Sequence, residues 1–360
     1  MAPPCSIVDH HIHRNFFKAT FHAAYSSPKE EAYRFSVFEA SMVRAQERNQ
    51  KNIDAGGEAI YGVTKFSDRT QEEFDRANKG RKGKGMKASA ETKVAVPPAG
   101  VEATTAIDWT ALGYTTPVKN QGQCGSCWAH SAVEQIESQW MLAGNAPWEL
   151  SVQQVTSCTH ATFGCGGGDT VGAYQQLMSD ETKFGQKTWG VASAAMDPYR
   201  QSMYEECVGP LCTEECSVKG QGTNITDMYK YEALTGYYVG ISDFSYATPA
   251  CDSTCATQDL KILNANVAAT GPASICVNAA SWNDYVGGVM TTAACGGYAY
   301  DDLDHCVQLT GFDLTAASPY YIVRNSWATN WGNDGYIYLS SAGNTCGLAD
   351  EATFVTIIDQ

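Results

Sequence analysis

Apolar positions open the chain at helical spacing: Phe16, Phe17, Phe21 and Tyr25, then Tyr33, Phe35, Phe38 and Met42. Ser27-Pro28 interrupts the run and caps a second helix expected at residues 29–51. On that helix Glu30, Arg34, Phe38, Ser41, Ala45 and Asn49 share one stripe, with Glu30 and Arg34 spaced for an ion pair. Another helix starts at T70-Q-E-E-F. A further one begins close to Cys127, where Ala129, Ala132, Val133, Ile136, Trp140 and Met141 recur at helical spacing; one more is expected at 169–180. Beyond Tyr229 the pattern becomes strand-like, in Y-Y-V-G, A-S-I-C-V, C-V-Q-L-T-G-F, Y-Y-I-V-R-N and G-Y-I-Y-L. The order is a helical N-terminal segment, a helical half and a β half.

Composition divides the chain further. Residues 79–103 are rich in Gly, Lys and Pro with little to bury, which marks a linker. Residues 1–12 read as a flexible tail; His10, His11 and His13 lack the cysteine or carboxylate partners of a metal site. Residues 1–100 hold 16 Lys+Arg against 12 Asp+Glu, whereas the remainder holds 8 against 27. A basic N-terminal part on a very acidic body suggests an intramolecular clamp. The acidic body argues against nucleic-acid binding. No apolar run is long enough for a membrane span. Fourteen cysteines point to an oxidising compartment, although the N-terminus has no apolar signal core. A chain that begins after a removed signal reconciles the two, and the expected location is secreted or an acidic, lysosome-like vesicle.

The chemistry centres on residues 121–128, Q-G-Q-C-G-S-C-W. A thiol at a helix N-terminus faces unpaired N–H groups and the positive end of the helix dipole, both of which favour thiolate. C-G-S-C-W resembles the active-site signature of papain-family (cathepsin-like) cysteine proteases. The resemblance extends to D304-H305-C306, to N325-S-W327 and to the N-terminal stripe followed by G62-V-T64-K-F66-S-D68, which is similar to the inhibitory propeptides of the family. Ser41, His130 and Ala328 depart from its usual residues; His130 reads as a buried helix residue.

The resemblance implies an α+β, papain-like two-domain fold with a helical prodomain at 13–78 and a linker with the maturation site at 79–103. The catalytic domain is then 104–360, its helical half at about 104–216, its β half at about 217–345, and 346–360 returning to the cleft. Cys127 is implied as nucleophile, His305 as base, Asn325 as its orienter shielded by Trp327, and Gln121 with the Cys127 N–H as oxyanion donors. The pair is implied to be thiolate and imidazolium, the thiol having a pKa of about 3–4 in papain itself. No metal or cofactor is needed.

Gly167 and Gly168 are expected on the substrate backbone. The pocket for P2, the second residue before the scissile bond, would be lined by Asp169, Cys276, Cys306 and Glu351. Glu351 implies acceptance of Arg beside apolar side chains, with Asp350 the alternative if the match slips by one. The resemblance pairs Cys124 with Cys165, Cys158 with Cys207, and Cys295 with Cys346. Cys276 and Cys306 are either bridged or two buried thiols. Cys212, Cys216, Cys251 and Cys255 suggest two more bridges, zinc being the rival. Asn224 lies in a glycosylation triplet. The expected protein is a monomeric, acid-activated endopeptidase zymogen whose partners are protein or peptide substrates and its own propeptide. The alternatives are a catalytically silent scaffold and a cathepsin B-like exopeptidase; no histidine-bearing insertion between Cys158 and Cys207 supports the latter.

Overall fold

The computed structural model describes residues 7–81, 93–101, 104–159, 162–178, 190–195, 198–200, 238–249, 251, 258–295 and 297–358, with side chains from residue 14. Cys207, Cys212, Cys216, Asn224 and Cys255 lie outside them, as do the side chains of His10, His11 and His13.

The N-terminal segment forms α1 (Ile7–Phe21), α2 (Pro28–Asp54), the short strand β1 (Ile60–Tyr61) and α3 (Gln71–Asn78). Ser27 caps α2 by accepting from the Glu30 N–H, with Pro28 beside it in the first turn. Phe38, Ser41 and Ala45 of the stripe are buried, and Asn49 makes two hydrogen bonds to the Tyr61 backbone. The expected Glu30–Arg34 pair is not formed. Glu30 turns back to the Ser26 N–H and hydroxyl, while Arg34 reaches Glu73 at 2.7 Å and the Asp68 carbonyl at 3.1 Å. A cross-helix carboxylate wins over the neighbour one turn away because it ties α2 to α3. Glu73 also closes the capping box of α3 with Thr70.

The body has two packed regions. In one, α4 (Cys127–Leu142), α5 (Val152–Cys158) and α6 (Thr170–Met178) enclose a core of Trp128, Val133, Ile136, Val155 and Tyr174. The other is a mainly antiparallel sheet in the order β5 (Ile241–Tyr246), β12 (Ala352–Ile357), β6 (Ala273–Val277), β9 (His305–Asp313), β10 (Tyr320–Arg324), β11 (Tyr336–Ser340) and β8 (Val289–Met290). Strand β2 (Ala106–Asp108) continues the β6 edge of β9, while β3 (Val191–Ala192) pairs with β4 (Tyr238–Val239) and β1 with β7 (Tyr285–Gly287). Helix α7 (Leu260–Thr270) packs on β9.

Helix α4 is buried on all sides, including its polar face. Ser131 bonds Ser274 and the Val307 carbonyl at 2.6 Å, and Gln308 donates to the Glu134 carbonyl at 2.9 Å. Glu137 meets Lys119 at 3.0 Å and accepts from the Leu150 N–H. An apolar stripe read from sequence marks only the α5/α6 side; the other side is held to β6 and β9 by hydrogen bonds that pair its buried polar groups, Glu134 Oε1 excepted. The nucleophile candidate therefore starts a helix clamped between both regions.

Candidate active site

Cys127 is a fully buried free thiol at the first position of α4. His305, the first residue of β9, is also fully buried. Its Nε2 lies 2.8 Å from Asn325 Oδ1, and its ring stacks on Trp327 at 4.7 Å between centroids. With Nε2–H donated to Asn325, Nδ1 carries the lone pair; it is buried and has no hydrogen-bond partner. Trp282 and Trp331 pack around Trp327. This apolar wall keeps water from the His305–Asn325 bond. Ala328 has φ +59°, a conformation in which a glycine is unstrained and a Cβ costs roughly 1–2 kcal/mol.

Gln121 is held by acceptance: its Oε1 receives the Ser326 hydroxyl at 2.7 Å and the Trp327 indole N–H at 3.1 Å. Its Nε2 donates to the Cys124 carbonyl at 2.8 Å and to the Asn78 carbonyl at 3.3 Å. Asn78 is the last residue of α3, so a carbonyl of the N-terminal segment lies where the donor points. From there the chain crosses the site. Gly80 O accepts from Gly168 N–H at 2.7 Å, and Arg81 N–H donates to the Asp304 carbonyl at 3.0 Å. A Cβ on Gly80 would lie 1.9 Å from the Gly125 carbonyl oxygen, so only glycine passes. Gly168 is equally confined, by the Trp128 ring at 2.6 Å. Gly167 was expected on the same backbone but spends its N–H on Gly164 and its carbonyl on Phe163.

Arg81 fills the pocket beyond. Its guanidinium meets Glu351 at 2.5 Å and Asp169 at 3.8 Å, donates to the carbonyls of Tyr300 and Leu303, and lies 4.2 Å over the Tyr300 ring. Asp169 caps α6 through Oδ1 to the Val171 N–H, while its Oδ2 has no hydrogen bond. Asp350 points elsewhere, accepting from Asn344 at 2.6 Å. Burial, then the Glu351 charge, pushes the Asp169 carboxyl up to about 7; Asp350 is likewise pushed up to about 7 by burial. Lys79 pairs with Asp304 at 2.8 Å.

Burial disfavours charge on both Cys127 and His305 in the covered site. Burial pushes the Cys127 thiol up to about 12, which the N–H groups of Cys306, Gly80 and Trp128 offset only in part. Burial pushes His305 down to about 3 despite its Asn325 bond. The implied thiolate–imidazolium pair is disfavoured here because no solvent reaches either charge. His130, buried behind Cys127, bonds the Ser126 carbonyl at 3.0 Å.

Disulfides join Cys124 to Cys165, Cys276 to Cys306 and Cys295 to Cys346. Cys251 is disulfide-bonded, which sets aside the zinc reading for that residue. The proposed partner of Cys158, Cys207, lies outside the described residues. No group of side chains suited to a metal occurs among the described residues. Sequence reasoning missed Arg81 and Gly80; a lone arginine beside glycine in a basic run gives no sign of a buried anchor.

Comparison with known proteins agrees with this geometry. The profile described as "Papain family cysteine protease" matches residues 103–356. That described as "Cathepsin propeptide inhibitor domain" matches residues 15–74. A cysteine proteinase of Trypanosoma brucei brucei is 34% identical over 346 residues, covering 95% of this chain; the chain spans 66% of that relative's length. Cathepsin O of Homo sapiens is 30% identical over 331 residues, covering 92% of this chain and 90% of its own. The solved structure of digestive procathepsin L2 proteinase from Tenebrio molitor larval midgut superposes with a TM-score of 0.75 at 26% identity, over 96% of this chain and 99% of that one. The chain belongs to the papain family of cysteine proteases and carries a cathepsin propeptide inhibitor domain ahead of its catalytic region.

Proposed function

We propose that the chain is the latent precursor of a cysteine endopeptidase that accepts Arg as well as apolar side chains at P2. Once the propeptide leaves, water reaches the cleft and Cys127 passes its proton to His305 Nδ1. The thiolate attacks a peptide carbonyl, and Gln121 Nε2 with the Cys127 N–H receives the developing oxyanion. His305 then protonates the leaving amine, and Asn325 keeps the ring aimed while it carries the proton. Water hydrolyses the thioester, with His305 taking a proton from it.

The observation that carries the specificity is Arg81. The propeptide's guanidinium pairs with Glu351 in a pocket walled by Tyr300 and Leu303, so the pocket accommodates arginine. Asp169 adds a second carboxylate, in keeping with its expected place beside the pocket. The segment runs in reverse of a substrate: Asn78 lies at the oxyanion donor and the later Arg81 in the P2 pocket. Run in reverse, the segment turns the Gly80 N–H, and not a carbonyl carbon, toward the Cys127 sulfur, which accounts for an inhibitor that is bound and not cut. Removal of the propeptide in an acidic vesicle or after secretion would start activity.

Glu351→Ala tests the reading. A charge-assisted hydrogen bond contributes roughly 1.5–3 kcal/mol, so kcat/KM for Arg at P2 should fall about ten- to a hundredfold while Leu at P2 is spared. Equal losses for both, or a parent enzyme that rejects Arg, contradict it.

A further inference from the structure

Cys276 and Cys306 are bonded to each other across β6 and β9, where they sit opposite in register. Both are fully buried. Four contacts link the bridge to catalysis and recognition. Cys306 directly follows His305, and its N–H faces the Cys127 sulfur. Cys276 N–H donates to the Glu351 carbonyl at 3.0 Å, and its sulfur lies 3.4 Å from Glu351 Oε1. Thr170, next to Asp169 at the start of α6, approaches the same sulfur at 3.7 Å. A bridged sulfur has no proton to donate, so the Glu351 contact is packing that limits where the carboxylate can swing. The bridge thus lies between the strand carrying the base and the floor of the arginine pocket.

We infer that the Cys276–Cys306 bridge is a specificity-determining element of this pocket, fixing the wall against which Glu351 rests. The inference rests on the P2 reading above. Opening the bridge replaces a bonded pair by two thiols that must separate to van der Waals distance, roughly 3.5–4 Å. Both strands are packed, so the displacement is taken up by the wall and by Glu351. The catalytic pair keeps its own supports, Asn325 and Trp327, on other elements. A dithiol reductant opens the bridge by two exchanges. Its thiolate attacks one sulfur and releases the other cysteine as thiolate; its second thiol then displaces the first cysteine. Cys276 and Cys306 end as thiols holding the reductant's two protons, and the reductant ends as a cyclic disulfide.

The test compares kcat/KM for peptides with Arg, Leu, Phe or Val at P2, using the processed enzyme and its Cys276→Ala/Cys306→Ala form. The same peptides are followed in the parent as a dithiol is raised until alkylation, mapped cysteine by cysteine, marks both residues. Loss of the bridge should lower the Arg-to-Leu ratio of kcat/KM about three- to tenfold and shift the Phe-to-Val ratio by a similar factor. Ratios unchanged once the bridge is gone overturn the inference, whichever route removed it. A double variant that does not fold leaves the reduction series on the parent to decide. Rejection of Arg by the parent counts against the P2 reading alone, because the Phe-to-Val ratio still reports the wall.

Discussion

Arg81 is a buried cation that balances carboxylates which would otherwise share a dry pocket. Glu351 and Asp169 face it directly, and its charge also reaches Asp350. Removing one partner of such a group leaves uncompensated buried charge, which costs about 3–5 kcal/mol. Gly80 offers an independent handle, since any side chain there meets the Gly125 carbonyl. Arg81→Ala and Gly80→Ala should therefore each speed propeptide release at least about tenfold near neutral pH, read as conversion of the full chain on a gel. Conversion at the parent rate in both variants contradicts the anchoring role. Glu351 was legible in the sequence because it stands five residues after Cys346 in a recognisable segment. Arg81 was not, because Gly, Lys and Arg in residues 79–87 read as a solvated linker. Whether Cys276 and Cys306 bond is also illegible, since a bridge depends on a Cα separation that only packing decides.

The propeptide helices are joined by Glu73, which caps α3 and pairs with Arg34 of α2. Although burial opposes it, the Arg34 and Thr70 hydrogen bonds hold Glu73 below its ordinary value. Lys18 and then Arg14 do the same for Glu31, joining α1 to α2. A depressed carboxylate contributes stability that is present above its ordinary pKa and lost as pH falls through its lowered value. Asp169 and Asp350 have the opposite sign: raised by burial, they favour the closed state when protonated. Acid release is thus expected from loosening of α1, α2 and α3, below about pH 4.5, and not from neutralising the pocket. Glu73→Gln keeps a capping acceptor but removes the charge. It should raise conversion at pH 6 several-fold and flatten the profile below about pH 4.5; a profile identical to the parent's contradicts this. Helix existence was legible here from periodicity and capping residues. The partner of Arg34 was not, because a fold-level contact displaced the neighbour expected from helical spacing. Helix α4 shows the same limit: periodicity marks its apolar stripe, but only the fold shows β6 and β9 covering its polar face as well.

Across the whole molecule, the basic N-terminal part meets the acidic body through local pairs. Arg44 and Arg48 converge on the buried Asp284, Lys79 on Asp304 and Arg81 on Glu351. Phe66 and Phe74 pack edge-on to Trp327, so the propeptide completes the apolar wall around His305. The overall charge asymmetry was legible from composition, but not the acids that receive each cation, which come from distant loops. Latency follows from both effects: the cleft is filled, and the burial that fills it keeps thiol and imidazole uncharged. The most direct measurement is the rate at which a small neutral alkylating reagent labels Cys127, followed by mass between pH 5 and 7, in the full chain and after propeptide removal. The processed enzyme should label rapidly and almost independently of pH, as a thiolate does, with the full chain at least about a hundredfold slower. Equal rates in the two forms would contradict the account.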